Sequence, residues 1–480
     1  MTTLKDSIYT PYQEILDKIK RAEVCLTERF NRKLTVNPDL DRTLVSFQAN
    51  KKENGYRWCK YKEGFSAALI SYTFGKTGLK SGRILDPFAG SGTTLFVARD
   101  LGVDSVGIEL LPSSAEIIEV RKLVEEANQP KLAQDIRRFE QSRTWEKPGK
   151  SVHFPHLRIT TGAFPEETEK ALGRYLHEIS KCRDKTLCRV LRLAALSILE
   201  SISYTRKDGQ YLRWDSRSGR QAGTTAFNKG PILGFAEAIS SKLEEIASDL
   251  NGESSLFADL KPAARQGKIK LYVGSCLDLL PKMVDASFDG ILTSPPYCNR
   301  YDYTRTYALE LAMLGIDEEG IRDLRQNMLS CTVENREKKD LDRRFRPECF
   351  RKAMKALGSQ EVLSLALSYL EMCRDGGALN NPGIPRMVRN YFLELALVIF
   401  ECARVLKKGA PLVMVNDNVR YQGAHLPVDL ILSDFAEKAG FDVEAIWVLP
   451  RGKGNSSQQM GVHGREELRK CVYIWRARAL

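Results

Sequence analysis

Residues Phe288 to Tyr297, Phe-Asp-Gly-Ile-Leu-Thr-Ser-Pro-Pro-Tyr, constrain this chain more than any other stretch. Gly290-Ile291-Leu292 is a brief apolar run bounded by turn residues, the pattern of a buried parallel strand. Pro295 and Pro296 have fixed φ and no N–H, so the chain must leave the sheet there in one rigid shape. That exit leaves the Pro295 carbonyl outside the ladder and sets the Ser294 hydroxyl and the Tyr297 ring beside it. In an open α/β sheet this carboxyl edge is where ligands bind.

These three groups suit the methylation of an exocyclic amine on a nucleobase. Such an amine is a poor nucleophile because its lone pair is delocalised into the ring. A side-chain oxygen and a backbone carbonyl can hold both amino hydrogens and favour the pyramidal, nucleophilic form. A flipped base also needs an aromatic face in place of its lost stacking, and Tyr297 offers one. A Pro-rich strand exit with an incidental Tyr would read the same way, so a second feature is needed.

Ile84-Leu85-Asp86-Pro87-Phe88-Ala89-Gly90-Ser91-Gly92-Thr93-Thr94 supplies it: a strand, a Gly-x-Gly turn, and then a run that can be helical. Glycines let the backbone pass close to a ligand, and a helix N-terminus adds oriented N–H groups. Val106-Gly107-Ile108-Glu109 follows as a second strand ending in an acid, the position that takes ribose hydroxyls in nucleotide-binding folds. The third glycine of a dinucleotide fingerprint is missing. The glycine turn and Glu109 together say more than either alone.

Asp-Pro-Phe-Ala-Gly-Ser-Gly-Thr-Thr together with Thr-Ser-Pro-Pro-Tyr resembles the S-adenosylmethionine-dependent DNA amino-methyltransferases. The Ser-Pro-Pro-Tyr form is most similar to the cytosine-N4 branch; the adenine-N6 branch more often carries Asp in place of Ser294. The resemblance implies catalytic roles for Ser294, Pro295, Pro296 and Tyr297. It implies S-adenosylmethionine as cofactor, held by Asp86, Pro87, Phe88, Ala89, Gly90, Ser91, Gly92, Thr93, Thr94 and Glu109. In this family a segment before the glycine loop closes over the methionine end, and Lys62, Phe65 and Ser66 match it by order and character; Ser66 also reads as a helix N-cap. Gly274-Ser275-Cys276 resembles the segment that holds the cofactor adenine. Ser275 stands where Asp is common, so that contact shifts to Cys276 or Asp278. Double-stranded DNA is the implied partner, with a separate restriction endonuclease a further candidate. An adenine-N6 enzyme and an RNA amino-methyltransferase are the alternatives.

The fold class expected is α/β: a Rossmann-like methyltransferase sheet of seven strands at 83–86, 104–109, 269–273, 288–293, 411–416, 442–449 and 470–475. The last two form an antiparallel C-terminal hairpin, and one or two mainly helical inserts interrupt the sheet. At 480 residues the chain exceeds one ordinary core. It divides into an N-terminal helical segment (1–40), the cofactor half (41–128), a first insert (129–265), the catalytic half (266–318), a second insert (319–385) and a C-terminal part (386–480).

Either insert could recognise the target. Ser201 to Arg220 carries five basic residues against two acidic ones, interleaved with Tyr and Trp. Arg206, Lys207, Tyr211, Arg213 and Trp214 suit phosphate contact and base stacking, although a solvated hairpin has the same composition. Arg300 and Arg305, just after the catalytic motif, are further nucleic-acid candidates. Arg336 to Lys352 carries eight basic and four acidic residues, a pattern shared with solvated helix faces. Arg451 to Gly461 is a polar loop whose amides could read base edges or simply connect strands.

Lys and Arg outnumber Asp and Glu by 73 to 61, a moderate excess compatible with phosphate backbones. Eleven scattered cysteines form no Cys-x-x-Cys pair, and the five histidines show no metal-ligand spacing, so no metal is expected. Cys298 reads as a packing residue. No leader and no apolar run of membrane-spanning length is evident, so a cytoplasmic protein of a bacterium or archaeon is the expectation.

Overall fold

In the sheet strands, side chains alternate between two apolar environments. Leu85, Ile291, Leu412 and Met414 join one core, and Ile84, Leu292, Val413 and Val415 join another on the opposite face. A strand with both faces covered reads as a continuous apolar run, which is why these segments are legible in the sequence. The computed structural model describes residues 4–208, 211–220, 226–252, 266–450 and 467–478. The expected recognition loop at 451–461 lies outside the described residues.

The strands are β1 (Leu34–Val36), β2 (Arg83–Asp86), β3 (Asp104–Glu109), β4 (Thr205–Asp208), β5 (Tyr211–Trp214), β6 (Ile269–Val273), β7 (Gly290–Thr293), β8 (Pro411–Asp417), β9 (Val419–Tyr421), β10 (Ala424–Leu426), β11 (Phe441–Val448) and β12 (Lys470–Ala477). Eight of them form one sheet in the order β1-β11-β12-β8-β7-β2-β3-β6. All neighbours are parallel except where β12 runs antiparallel between β11 and β8. The seven expected strands are present, with ends shifted by at most two residues. The fold is therefore the α/β Rossmann-like methyltransferase sheet with its antiparallel hairpin.

The expected sheet lacked β1. The segment 1–40 begins as a helix, Leu4–Phe30, and then adds Leu34–Val36 to the sheet edge beside Ile446–Val448. With three residues, two of them exposed, β1 carries no apolar alternation to announce it.

The helices Gln129–Ser142, Glu166–Ser180, Lys185–Ile202 and Phe235–Leu250 pack together against the helix Pro112–Glu126 that follows β3. Asp249 pins this lobe to the segment before the glycine loop: its carboxylate accepts from Trp58 Nε1 at 2.8 Å and from the Gly55 N–H at 3.1 Å, and it also pairs with Arg57. Helices between 318 and 375 pack around the long buried helix Ile384–Val405. There Lys338 Nζ meets Glu394 at 2.7 Å with both side chains 1% exposed, while the Ser330 N–H and hydroxyl also donate to Glu394 at 2.8 and 2.6 Å.

Removing one member of a buried ion pair leaves the other charge desolvated and uncompensated. Lys338→Met should therefore destabilise the fold by about 3–5 kcal/mol in urea unfolding. A loss below about 1 kcal/mol would mean that water reaches the pair.

Candidate active site

The ends of β2 and β7 are adjacent because the strands pair at Ile84–Gly290 and Leu85–Ile291. One residue beyond the ladder, Thr293 Oγ1 donates to Asp86 Oδ1 at 2.7 Å in a buried contact, and the Phe88 N–H reaches the same oxygen at 3.1 Å. Asp86 thereby holds the start of the glycine loop against the strand that carries Ser294. Burial pushes the Asp86 carboxyl up to about 6, against hydrogen bonds from Thr293 and the Phe88 N–H that favour its ionised form.

The glycine loop folds back onto β3. Gly90 has φ +54° and Gly92, the N-cap of the helix Thr93–Asp100, has φ +82°, a region that side-chain-bearing residues rarely adopt. A Cβ at Gly90 would lie 3.0 Å from the Tyr61 ring. Glu109 closes the loop: its carboxylate accepts from the Gly90 N–H and the Leu111 N–H, each at 2.7 Å. Burial pushes the Glu109 carboxyl up to about 7, opposed by those two donors.

A cavity of about 840 Å³ opens over these strand ends. Its wall includes Pro87 to Ser91, Thr93 and Glu109 on one side and Ser294 to Tyr297 on the other, with Lys62, Phe65, Ser275 and Cys276 around it. The structure thus brings the glycine loop and the Ser-Pro-Pro-Tyr exit to one chamber. Ser66 is fully buried; it caps the helix Ala67–Thr77 by accepting from the Leu69 N–H at 3.1 Å and donates to the Leu44 carbonyl. Ser275 likewise caps the turn Cys276–Leu279 and donates to the Asn327 carbonyl at 2.7 Å. Asp278 turns away from the chamber and pairs with Arg344 at 3.0 Å. Lys62 reaches the Lys207 carbonyl and stands 3.6 Å from Glu200.

At the catalytic exit, the Ser294 hydroxyl is 3.1 Å from the Val415 carbonyl and 3.2 Å from the Tyr297 phenol oxygen. A carbonyl only accepts, so the Ser294 proton goes to Val415. The Tyr297 hydroxyl is then free to turn its own proton to Ser294 Oγ. Asp417, at the end of the same neighbouring strand, lines the chamber 3.7 Å from Lys470 Nζ, which lies 5.9 Å from the Tyr297 ring centre. Cys298 is fully buried and packs beneath the motif.

The hairpin β4–β5 divides the nucleic-acid candidates between its two faces. Its first strand alternates, with Thr205 and Lys207 inward and Arg206 and Asp208 outward. Lys207 is 8% exposed and paired with buried Glu310, with its ammonium over the Tyr307 ring, so it is not available to a phosphate. Trp214 is buried with the Arg220 guanidinium over it, which leaves no open face for a base. Arg213 pairs with Asp208 at 3.1 Å and stacks on Phe227. Arg305, held by Asp302 and Glu334, lies off the chamber. The Tyr211 side chain lies outside the described residues. Arg206, exposed, and Arg300, left-handed at φ +65°, do line the chamber. The sequence reading gave no role to Tyr61, Glu63 or Thr293. Of these, only Thr293 carried a positional signal, by standing next to Ser294.

The DNA methylase family model (N6 and N4 methyltransferases) matches residues 12–120. The chain is 50% identical over 462 residues to the type II methyltransferase M.AvaI of Anabaena variabilis, covering 96% of this chain and 94% of that relative. It is 42% identical over 469 residues to the type II methyltransferase M.BsoBI of Geobacillus stearothermophilus, covering 94% and 89%.

Because burial raises the Glu109 carboxyl from its ordinary 4.5 to about 7, the folded chain binds this proton more tightly than the unfolded one. The stabilisation is complete below about pH 4.5 and lost as pH rises to about 7. The ligand-free protein should therefore melt at lower temperature at pH 8 than at pH 6, this group contributing a loss of about 1.4 kcal/mol of stability across that interval. Glu109→Gln should flatten that slope; an unchanged slope would place the titration elsewhere. From the paired strand ends, the glycine cradle and relatives that align over nearly the whole chain, the protein belongs to the type II DNA methyltransferases, enzymes that take their methyl group from S-adenosylmethionine.

Proposed function

We propose that the chain methylates the exocyclic N4 amine of a cytosine flipped out of duplex DNA. In this reading it is the modification enzyme of a bacterial or archaeal cytoplasm, working beside a separate restriction endonuclease. The observation that carries the reading is the Ser294 hydroxyl on the chamber wall, 3.1 Å from the Val415 carbonyl, where donation to Val415 would leave a lone pair for an amine hydrogen. Ser294 Oγ and the Pro295 carbonyl would take the two N4 hydrogens, turning the nitrogen lone pair out of the ring plane. Tyr297 would stack on the base. A neutral Ser acceptor is enough for the cytosine amine, and an Asp at that place marks the adenine-N6 branch that this sequence resembles less.

The donor set fits the cofactor. Glu109 retains acceptor capacity for ribose hydroxyls beyond its two backbone donors, and the glycine turn admits a ligand close to the backbone where a Cβ would collide. When bound, S-adenosylmethionine supplies an electrophilic sulphonium methyl. The contribution of Pro87 to Ser91 and Thr93 is to line its berth, with Asp86, Gly92 and Thr94 shaping the loop from behind. Lys62 and Phe65 border the berth on the side of the preceding segment, Ser66 fixes that segment through its cap, and Ser275 and Cys276 border the far end. Arg206 and Arg300 are the basic side chains placed to meet the backbone of the extruded nucleotide. Orientation and fixed dipoles would supply most of the acceleration, since a thioether leaves without acid assistance.

Ser294→Ala should lower kcat by about 10²–10³ while cofactor affinity stays within about twofold, the pattern of an interaction made at the reacting amine. Gly90→Val should instead abolish cofactor binding, because its Cβ meets Tyr61 and its φ is left-handed. Equal losses of affinity in both variants, measured by calorimetry, would count against the assignment of Ser294.

A further inference from the structure

Glu63 lies between the two halves of the chamber, on its wall, and no motif points to it. Its two oxygens are each held by a phenol: Tyr301 donates to Oε1 and Tyr307 to Oε2. Both phenols belong to the segment just after the catalytic motif, whereas Glu63 belongs to the segment before the glycine loop. Tyr307 is further fixed by stacking on Tyr61, with ring centres 5.5 Å apart, and Tyr61 is the ring against which Gly90 closes. Burial raises both phenols well above their usual range, so they remain donors and Glu63 remains the acceptor.

The other acids of the chamber wall have partners that hold them. Asp417 faces Lys470, Asp208 faces Arg213, and Glu109 holds two backbone N–H groups. Glu63 forms no ion pair among the described residues. A partly buried carboxylate, oriented by two neutral donors and in direct contact with no cation, although Lys62 and Lys207 lie near enough to feel its charge, stabilises a cation that enters its cavity. Tyr61, Tyr301 and Tyr303 line the same wall and add aromatic surface to it.

We infer that Glu63 is the group by which this enzyme distinguishes the charged methyl donor from its spent form. The two ligands share adenosine, α-ammonium and α-carboxylate; they differ in that the donor carries a sulphonium and the product a neutral thioether. A carboxylate acting at that centre strengthens binding of the donor and leaves the product unaided, so spent cofactor leaves readily. Contact with the α-ammonium alone would aid both equally. The inference rests on the chamber being the cofactor site.

The test is calorimetric titration of the full chain with S-adenosylmethionine, S-adenosylhomocysteine and sinefungin, whose amine replaces the sulphonium by another cation. Glu63→Gln should raise Kd about tenfold or more for the two cationic ligands and leave the thioether within about twofold. Retained thioether binding also reports a folded site. Glu63→Asp, which keeps the charge, should restore most of the preference. Parallel weakening of all three ligands, or a preference unchanged in Glu63→Gln, would overturn the role of Glu63. Absence of binding by the unaltered protein would instead overturn the placement of the cofactor.

Discussion

The hydrogen bond from Thr293 to Asp86 joins the two halves of the site. Each half is a strand end followed by a rigid turn. The glycine loop is shaped by left-handed glycines, and the catalytic exit by two prolines. Between them β2 and β7 share only two residue pairs. The buried contact at 2.7 Å, with the Phe88 N–H on the same oxygen, fixes the distance from the cofactor loop to Ser294. In the proposed reading methyl transfer depends on that distance, because misplacement by about an ångström can cost a hundredfold in rate. The Val415 carbonyl sets the second coordinate by orienting the Ser294 hydroxyl from the next strand.

The helical lobes bear on this core through few, strong contacts. Asp249 ties the first lobe to Gly55, Arg57 and Trp58, so it positions the segment that continues to Tyr61 and Glu63. Lys207 does the same from the hairpin, reaching Glu310 and the Tyr307 ring. The basic and aromatic residues of that hairpin are divided between two tasks. Lys207 and Trp214 anchor it, and Arg206 remains at the mouth of the chamber.

The sheet was legible in the sequence because strands covered on both faces must be continuous apolar runs, and Ile84-Leu85, Ile291-Leu292 and Leu412 to Val415 are such runs. The walls of the chamber were legible where rare residues stand at fixed spacing: two prolines after a strand, or a glycine turn followed by an acid. They were illegible where the partner is distant in the chain. Whether Lys207 faces solvent or Glu310 is decided by a residue 103 positions away, and composition reads a buried anchor and a phosphate contact alike. Glu63 was hidden for the same reason, since its phenols come from 301 and 307. Strand β1, at three residues, is too short for periodicity to show.

The most direct measurement is nucleoside mass spectrometry of DNA from a methylation-free bacterial host expressing the chain. N4-methylcytosine is the result expected from a Ser294 hydroxyl and a Pro295 carbonyl paired to one amine beside Tyr297. N6-methyladenine in its place, or unmodified DNA from a host whose protein binds S-adenosylmethionine, would contradict it.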